Sequence, residues 1–431
     1  MAMAANELNL GIVGCGGMGT RHLYGVKEYA ALIASGLGDR PAFRLAAVCD
    51  TNERNAGILA DLAESELGQL PRVYTSLEAM LEGQPELNAV DITTETRPHH
   101  TLACRALEAG KHVLVEKPMA LTVTACNRMM AAAERAGRVL AVAENYRRDP
   151  LLRLVRALLD GGAIGQPWML VDAGIGGAGR MVITPWRHKK AFGGVLLDVG
   201  VHNVDLMLYE FGPIEQVYAQ TALLERIRRR SRGNANTAAY YEASSQGTPD
   251  EVEADVEDTA FATLRFANGA LGQWTQSQSG HGQGFGKKAL YGSKGSLEPG
   301  GPRTGRGPRL YLDGRREPLA EDELLALVPD FTVDEGTARL FGGHRLTRYA
   351  FDYPAIDRKI TATVYLDFAG AVATGRPPEV GGWEGRHAVA VVNALFESAR
   401  LDRPVKIADV EAADPGVSAW QRELDVELGL L

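Results

Sequence analysis

LNLGIVGCGGMG, residues 8–19, carries the strongest structural signal in this chain. A short apolar strand leads into Gly14, Gly16 and Gly19, and a helical pattern follows from Thr20. In the G-x-G-x-x-G fingerprint the first glycine makes a tight turn, the second lets the backbone approach a pyrophosphate, and the third permits close packing of helix on strand. The positive N-terminus of the helix then faces the phosphates. The segment therefore predicts a Rossmann domain that binds a dinucleotide.

An acidic residue, Asp50, follows the second predicted strand, FRLAAVC at 43–49. A carboxylate at that place accepts hydrogen bonds from the adenosine ribose and repels a 2′-phosphate, which favours NAD over NADP. Asp50 lies about 30 residues after Gly19, where about 20 is usual, because the loop SGLGDRP at 35–41 precedes the strand. Arg54 suits a 2′-phosphate and keeps NADP as the less favoured alternative. A turn residue or a helix N-cap is the purely structural interpretation of Asp50.

A third segment, AGKHVLVEKPMA at 109–120, places a lysine where such sheets bind ligands. His112–Val115 has the pattern of a buried parallel strand, and Glu116-Lys117-Pro118 follows at its carboxyl end. A lysine at that edge can donate a hydrogen bond to a substrate hydroxyl and stabilise the alkoxide as hydride leaves. Taken by itself, a lysine at such a position is more often just a surface lysine.

The segment GVLLDVGVHNVD, residues 194–205, predicts a buried helix with a polar face. Asp198, His202 and Asp205 are spaced i, i+4 and i+7, which puts them on one side of a helix. Their neighbours are mostly apolar, so these polar groups need partners. A histidine held by a carboxylate is a common general base. A hydrogen-bonded core cluster is the alternative interpretation.

Together these segments resemble the Gfo/Idh/MocA family of NAD(P)-dependent oxidoreductases. The resemblance rests on the fingerprint at Gly14–Gly19, on Glu116-Lys117-Pro118, on D-x-G-x-H-x-x-D at 198–205, on the strand pair Glu257–Gly272 and on SARLDRPVKI at Ser398–Ile407. It implies that Lys117, Asp198 and His202 are catalytic. His202 would remove the hydroxyl proton, Lys117 would polarise the same oxygen, and Asp198 would orient the substrate or His202.

The resemblance also implies a cofactor site and an overlapping substrate site. The residues implied to contact the cofactor are Gly14, Gly16, Gly17, Met18, Gly19, Asp50, Thr94, His99, Glu116 and Lys117. The residues implied to contact the substrate are Lys117, Tyr146, Arg147, Trp186, Arg187, Asp198 and His202. An aromatic ring beside several cations, as at 185–190, suits a sugar, because the ring packs on C–H bonds while the cations bind hydroxyls.

The chain divides into two predicted domains. Residues 1–145 alternate short apolar strands with helices, which predicts an α/β Rossmann domain with a parallel sheet. Residues 146–431 contain longer strands of alternating polarity, which predict an α+β domain with a large, open, mainly antiparallel sheet for substrate binding and oligomerisation. Within it, the basic and polar stretch 226–249 is predicted to be a solvent-exposed insertion. The C-terminal segment is expected to pack back on the first domain.

Composition sets further limits on function. The chain has 431 residues, is 45% apolar, and carries a formal charge of −8 from 54 acidic and 46 basic residues, which disfavours nucleic acid or an anionic membrane as a partner. No signal-like pattern opens the sequence, and no apolar run approaches the roughly 20 residues of a membrane helix. Cys15, Cys49, Cys104 and Cys126 form no C-x-x-C pair, so reduced thiols and a cytoplasmic location are expected. No cluster of ligands has metal-binding spacing, so we expect no metal.

We therefore expect an NAD-dependent enzyme that oxidises a secondary alcohol of a sugar, glycoside or cyclitol. A glycoside hydrolase or lyase that uses bound NAD transiently, and a biosynthetic keto-sugar reductase, are alternatives within the family. A non-enzymatic NAD-binding sensor is least favoured, because Lys117 and His202 are both present. An open apolar sheet face is rare in monomers, so a homo-dimer or homo-tetramer is expected.

Overall fold

The computed structural model describes residues 7–38, 40–230, 240–241 and 248–431. Its first domain contains a parallel sheet of six strands within these residues, in the order β3-β2-β1-β4-β5-β6. The strands are β1 (Glu7–Val13), β2 (Ala42–Cys49), β3 (Arg72–Tyr74), β4 (Ala89–Ile92), β5 (His112–Val115) and β6 (Leu140–Val142). This order is that of a Rossmann fold, with its ligand crevice at the carboxyl ends of the strands. The predicted α/β class is confirmed.

Helices cover both faces of this sheet, and their ends follow the sequence. They are α1 (Gly17–Ala34), α2 (Glu53–Leu67), α3 (Leu77–Gly83), α4 (His99–Glu108) and α5 (Val123–Ala136). Thr122 caps α5 by accepting the N–H of Ala125, and Gly137 ends the helix in the left-handed conformation. Such caps hold the helix starts, and therefore the loops above the sheet, in fixed positions.

The second domain is built on a larger sheet. Its strands are β7 (Pro167–Gly177), β8 (Ile214–Ala222), β11 (Thr259–Phe266), β12 (Leu271–Gly280), β13 (Phe285–Gly292), β14 (Gly295–Glu298), β15 (Arg309–Leu312) and β16 (Val405–Lys406). Among the described residues they lie in the order β15-β14-β13-β7-β12-β11-β8-β16. β7 and β12 pair in parallel, and the other neighbours pair antiparallel. The predicted open, mainly antiparallel sheet is confirmed.

Helices pack on one face of that sheet and reach back to the first domain. They are α6 (Pro150–Asp160), α7 (Gly194–Phe211), α8 (Glu321–Ala326), α9 (Glu335–Phe341), α10 (Tyr353–Thr374), α11 (Gly382–Leu401), α12 (Ile407–Glu411) and α13 (Ala419–Glu427). α10 packs on α1, where a Cβ at Gly25 would lie 2.4 Å from Thr361. α13 contacts α5, because Asp425 accepts hydrogen bonds from Thr122 and Thr124. The two domains therefore share much of their core.

The helix α7 is the buried centre of the second domain. The stretch 190–211 is long and apolar enough to cross a membrane, but 72% of its most apolar window is buried inside the fold. Gly200 lets α7 approach the sheet, since a Cβ there would lie 3.1 Å from the ring of Trp274. The helix thus behaves as the core helix of a globular protein and carries Asp198 and His202 to the domain boundary.

Part of the predicted surface insertion is buried, contrary to expectation. Ile227–Arg229 forms β9, which pairs with β10 (Glu251–Glu253). Arg228 is fully buried and donates hydrogen bonds to Asp258 at 2.5 Å and to the Gln278 carbonyl at 2.6 Å. A dense basic run is normally solvated, but here a buried carboxylate stabilises one of its arginines. Residues 231–239 and 242–247 of the prediction lie outside the described residues.

Candidate active site

The glycines of the fingerprint each meet a distinct steric demand. Gly14 has φ +98°, and a Cβ there would lie 2.7 Å from the Thr94 backbone nitrogen. A Cβ at Gly19 would lie 2.3 Å from the Gly14 carbonyl oxygen. At Gly16, by contrast, no described atom lies within 4 Å of the Cβ position. The turn is therefore tight on the protein side and open on the ligand side, as the pyrophosphate of a dinucleotide requires.

The start of α1 and the end of β2 supply polar groups for the same ligand. Within the described residues α1 has no side-chain cap at Gly16, so its first N–H groups point at the open space. The two oxygens of Asp50 accept the N–H groups of Cys15 at 2.7 Å and Asn52 at 2.8 Å. Each carboxylate oxygen can accept a second hydrogen bond, so Asp50 can still bind ribose hydroxyls. These residues fit a dinucleotide.

Tyr241 closes one side of this turn. Its ring lies against Gly17, where a Cβ would come within 2.3 Å of the ring carbons. The neighbouring Tyr240 is buried, with its ring 5.9 Å from that of Tyr24 on α1. Both tyrosines belong to the stretch predicted to be exposed. The described part of that stretch therefore contributes to the wall of the dinucleotide site.

Lys117 and Asp198 form an ion pair between the domains. Lys117 Nζ donates to the Asp198 carboxylate and to the Asp198 carbonyl, both at 3.0 Å. Arg187 Nε donates to the other carboxylate oxygen at 2.8 Å. Burial raises the pKa of Asp198, but Arg187 and Lys117 together hold it well below its usual range. Asp198 is therefore an anion paired with Lys117 and Arg187, and its role in orienting the substrate or His202 stays a prediction.

His202 is held by a different carboxylate, which the sequence analysis missed. His202 Nδ1 lies 2.7 and 2.8 Å from the two oxygens of Glu144. Because an ionised carboxylate can only accept, Nδ1 carries the proton and Nε2 is the free acceptor. Burial lowers the pKa of His202, Glu144 opposes this effect, and the nearby Lys117 charge adds to it. The imidazole is therefore neutral and ready to take a proton.

Aromatic rings line the same site. Tyr146 stacks on His202 with centroids 4.0 Å apart and planes 3° apart. Arg187 lies over the ring of Trp186, with its guanidinium carbon 4.2 Å from the centroid. Tyr146 thus packs on His202, and Arg187 lies between Trp186 and the Asp198 carboxylate that binds Lys117. The contact of Tyr146, Trp186 and Arg187 with a substrate stays a prediction.

A buried network beneath the fingerprint helix holds the lysine in place. Glu116 accepts the backbone N–H of Lys117 at 3.0 Å and lies 2.9 Å from His22 Nε2. The other nitrogen, His22 Nδ1, lies 2.8 Å from Asp91. Burial opposes protonation, but Asp91 and Glu116 raise the pKa of His22 to about 10. A buried imidazolium therefore joins α1, β4 and the end of β5.

Two residues predicted to contact ligands have structural partners within the fold. Arg147 is buried and makes a bidentate ion pair with Asp205, at 2.8 and 2.6 Å. His99 is fully buried, and its ring nitrogens lie 2.9 Å from the Pro118 carbonyl and 3.2 Å from the Thr94 carbonyl. Arg147 is therefore tied to α7, and His99 is tied to the loops that carry Thr94 and Pro118; their contact with a ligand stays a prediction.

The thiols and potential metal ligands are the remaining reactive groups. All four cysteines are free thiols, and burial raises the pKa of Cys126 to about 12. Among the described residues no group of three or more histidine, cysteine, aspartate or glutamate side chains is arranged to hold a metal ion.

Comparisons with known proteins agree with this arrangement. The model of the oxidoreductase family with an NAD-binding Rossmann fold matches residues 8–144, and the GFO/IDH/MocA C-terminal domain matches residues 152–298. Levoglucosan dehydrogenase from Pseudarthrobacter phenanthrenivorans is 26% identical over 416 residues, which cover 94% of this chain and 100% of that protein. Myo-inositol 2-dehydrogenase from Thermotoga maritima is 26% identical over 404 residues, which cover 94% and 99%.

A solved structure shows the same fold. Levoglucosan dehydrogenase in complex with NADH superposes with a TM-score of 0.70 at 24% identity, over 93% of this chain and 99% of that one. The two family models together span most of the chain, the first over residues 8–144 and the second over residues 152–298. The chain belongs to the GFO/IDH/MocA family of NAD-binding oxidoreductases.

Proposed function

We propose that this protein is an NAD-dependent dehydrogenase that oxidises a secondary alcohol of a sugar, glycoside or cyclitol. The observation that carries the proposal is the separate anchoring of Lys117 by Asp198 and of His202 by Glu144. The two carboxylates thus hold a cation, Lys117, and a neutral base, His202, in the same candidate site. That pair suits the removal of a proton from a hydroxyl whose oxygen is held in place.

In this proposal the chain's own groups handle the proton. His202 Nε2 accepts the hydroxyl proton of the substrate, and Glu144 stabilises the imidazolium that forms. Lys117 Nζ uses two donors on Asp198 and directs the third at the substrate oxygen, where it stabilises the developing alkoxide. When bound, NAD supplies the nicotinamide C4 that takes the hydride. The α1 N-terminus and Asp50 are the groups that would hold it.

The relatives support a dehydrogenase over the alternatives. Both full-length relatives above are named as dehydrogenases, one of an anhydrosugar and one of a cyclitol. We infer NAD as the preferred cofactor from Asp50, whose carboxylate lies beside the fingerprint turn at Cys15. NADP remains the alternative, which the cofactor test below decides. Four free thiols support a reducing, cytoplasmic location.

The experiment that tests this function is a screen of the purified protein against sugars, glycosides and cyclitols. Levoglucosan and myo-inositol belong in the panel, and each compound is assayed with NAD and with NADP at 340 nm. We expect a rise in absorbance with at least one polyol and NAD. Tight retention of NAD with cleavage of a glycoside and no net NADH would instead establish the hydrolase or lyase.

We also propose that the protein assembles through the open face of its larger sheet. Leu271, Met169 and Tyr291 form one row across neighbouring strands, and their exposed fractions are 57%, 48% and 38%. Phe261 and Tyr218 lie on the same face and are also exposed. Pairing such faces about a two-fold axis buries them, which supports a homo-dimer or homo-tetramer.

A further inference from the structure

Arg303, on the loop 299–308 between β14 and β15, is a buried cation in a strained conformation. Its φ of +57° lies in the left-handed region, which costs free energy for any residue with a side chain. Its side chain is only 10% exposed. Surrounding contacts must therefore hold both the backbone and the charge, and strain of this kind concentrates at functional sites.

Several hydrogen bonds fix the guanidinium of Arg303. It donates to Asp357 at 3.0 Å, to the Tyr353 hydroxyl at 2.9 Å and to the Asn145 side-chain oxygen at 3.1 Å. Asp357 also accepts a hydrogen bond at 2.8 Å from Arg21 on the fingerprint helix. The guanidinium is therefore locked between the two domains and is not free to swing toward a substrate.

The locked guanidinium forms one layer of a stack that ends at the proposed base. Its central carbon lies 4.8 Å from the ring centroid of Tyr146, which is itself parallel to His202 at 4.0 Å. The phenol ring is thus sandwiched between a fixed cation and the imidazole. The Tyr146 ring therefore restricts rotation of the His202 imidazole on the face that it covers. Glu144 fixes the Nδ1 edge of the same imidazole.

We propose that Arg303 is a positioning residue that acts through Tyr146 to fix the plane of His202 and to keep its imidazole neutral. This inference rests on the proposed role of His202 as the base. A nearby cation disfavours the imidazolium, whereas an anion favours it.

The charged groups around His202 come from several elements. Lys117 follows β5, Glu144 follows β6, and Arg303 lies on its loop. Asp198 and Asp205 lie on α7 itself, but each is paired with cations: Asp198 with Lys117 and Arg187, and Asp205 with Arg147. Glu144 is thus the carboxylate bonded to His202, and Arg303 and Lys117 oppose its effect on protonation.

The first test follows the protonation of His202 directly and needs no substrate. Protein labelled at histidine Cε1 is titrated by NMR, and the His202 signal among the nine histidines is assigned by its loss in His202→Gln. Arg303→Met removes the charge and keeps an apolar layer on Tyr146. We expect the titration midpoint of His202 to move to higher pH in Arg303→Met. In Arg303→Lys, which keeps the charge, this midpoint should stay near the wild-type value. An unchanged midpoint in folded Arg303→Met overturns the inference.

The second test uses turnover on whichever polyol the screen identifies. We expect Arg303→Met to lower kcat about tenfold and to move the acid limb of kcat/KM to higher pH, because His202 must be neutral to act. If His202→Gln stays active, the proposed function fails. If His202→Gln is inactive while Arg303→Met keeps both the wild-type kcat and the wild-type acid limb, the inference fails and the function stands.

A matched control distinguishes the effect of the Arg303–Tyr146–His202 stack from the general effect of removing an arginine beside the sheet. Arg309, on the strand after the same loop, lies over the Tyr311 ring at 5.3 Å and is 59% exposed. Arg309→Met should leave the His202 midpoint and kcat unchanged. If Arg303→Met does not fold, Arg303→Gln takes its place, because it removes the charge but keeps hydrogen-bond donors toward Asp357 and Tyr353. The His202 midpoint should move to higher pH in Arg303→Gln, and an unchanged midpoint overturns the inference.

Discussion

At the scale of single residues, the site depends on which carboxylate holds which catalytic group. Lys117→Ala and His202→Ala should each lower kcat by about 10²-fold or more, because general acid–base groups contribute about 10²–10⁴-fold. The fingerprint turn and Asp50 are unchanged in both variants, so NADH binding, followed by fluorescence, should persist. Near-wild-type turnover in either variant would reject the mechanism.

Glu144→Gln should separate the charge of Glu144 from its hydrogen bond. The amide oxygen still accepts the N–H of His202 Nδ1, but the anion that favours the imidazolium is gone. The acid limb of kcat/KM should therefore move to lower pH, opposite to the shift expected for Arg303→Met, and kcat should fall about tenfold or more. Glu323→Gln removes a glutamate carboxylate from the surface and serves as the control. A Glu144→Gln profile that superposes on wild type would exclude Glu144 from the reaction.

Asp50→Ser tests the choice of cofactor. Loss of the carboxylate removes the charge that repels the 2′-phosphate of NADP, and it also removes acceptors for the ribose hydroxyls of NAD. The ratio of kcat/KM for NAD over that for NADP should therefore fall. Serine can still accept the N–H of Cys15, which preserves the turn. A wild-type enzyme that uses NADP at least as well as NAD would contradict the assignment and would shift attention to Arg54.

The sequence predicts Lys117, Asp198 and His202 because each lies in a motif with its own spacing. Glu144 is a single acidic residue in a polar junction, and its partner His202 is 58 residues away. Only the packing of the segment after β6 against α7 brings the two together. Arg303 is similarly hidden in a glycine-rich loop, since its stack on Tyr146 joins segments more than 150 residues apart.

At the scale of elements, the buried imidazolium of His22 ties the fingerprint helix to the strand that carries Lys117. Its pKa is raised from an ordinary 6.5 to about 10, so its contribution to stability is fully present below about pH 6.5 and is lost as the pH rises through about 10. His22→Gln should therefore be less stable than wild type by about a few kcal/mol near pH 6.5, and the difference should shrink toward pH 10.

Urea unfolding across that pH range measures the effect. His344→Gln is the matched control, because the His344 side chain is 55% exposed. A difference between wild type and His22→Gln that stays constant from pH 6.5 to 10 would show that the network does not hold a charged imidazole. A difference that appears only above pH 10 would also exclude a charged imidazole, because a raised pKa stabilises the fold at lower pH.

The elements themselves follow the sequence where period and caps agree. The strand β5 has the bounds His112–Val115 that its apolar run predicts, and Thr122 caps the start of α5. The basic run 226–230 predicts a solvated segment. This prediction is wrong for Arg228, because the fold places the buried carboxylate of Asp258 beside it. The parallel pairing of β7 with β12 is likewise invisible in the sequence, since strand polarity leaves no trace in local alternation.

At the scale of the whole molecule, the exposed apolar row on the larger sheet predicts assembly. Light scattering at micromolar concentration should give two or four times the monomer mass of 46.4 kDa. Leu271→Asp places a charge in the centre of the row and should shift the protein toward the monomer. Leu70→Asp, at a position 67% exposed on the first domain, should leave the mass unchanged. A wild-type mass near the monomer value would leave the apolar row without a partner copy, and a mass unaffected by Leu271→Asp would place the contact between subunits on another face.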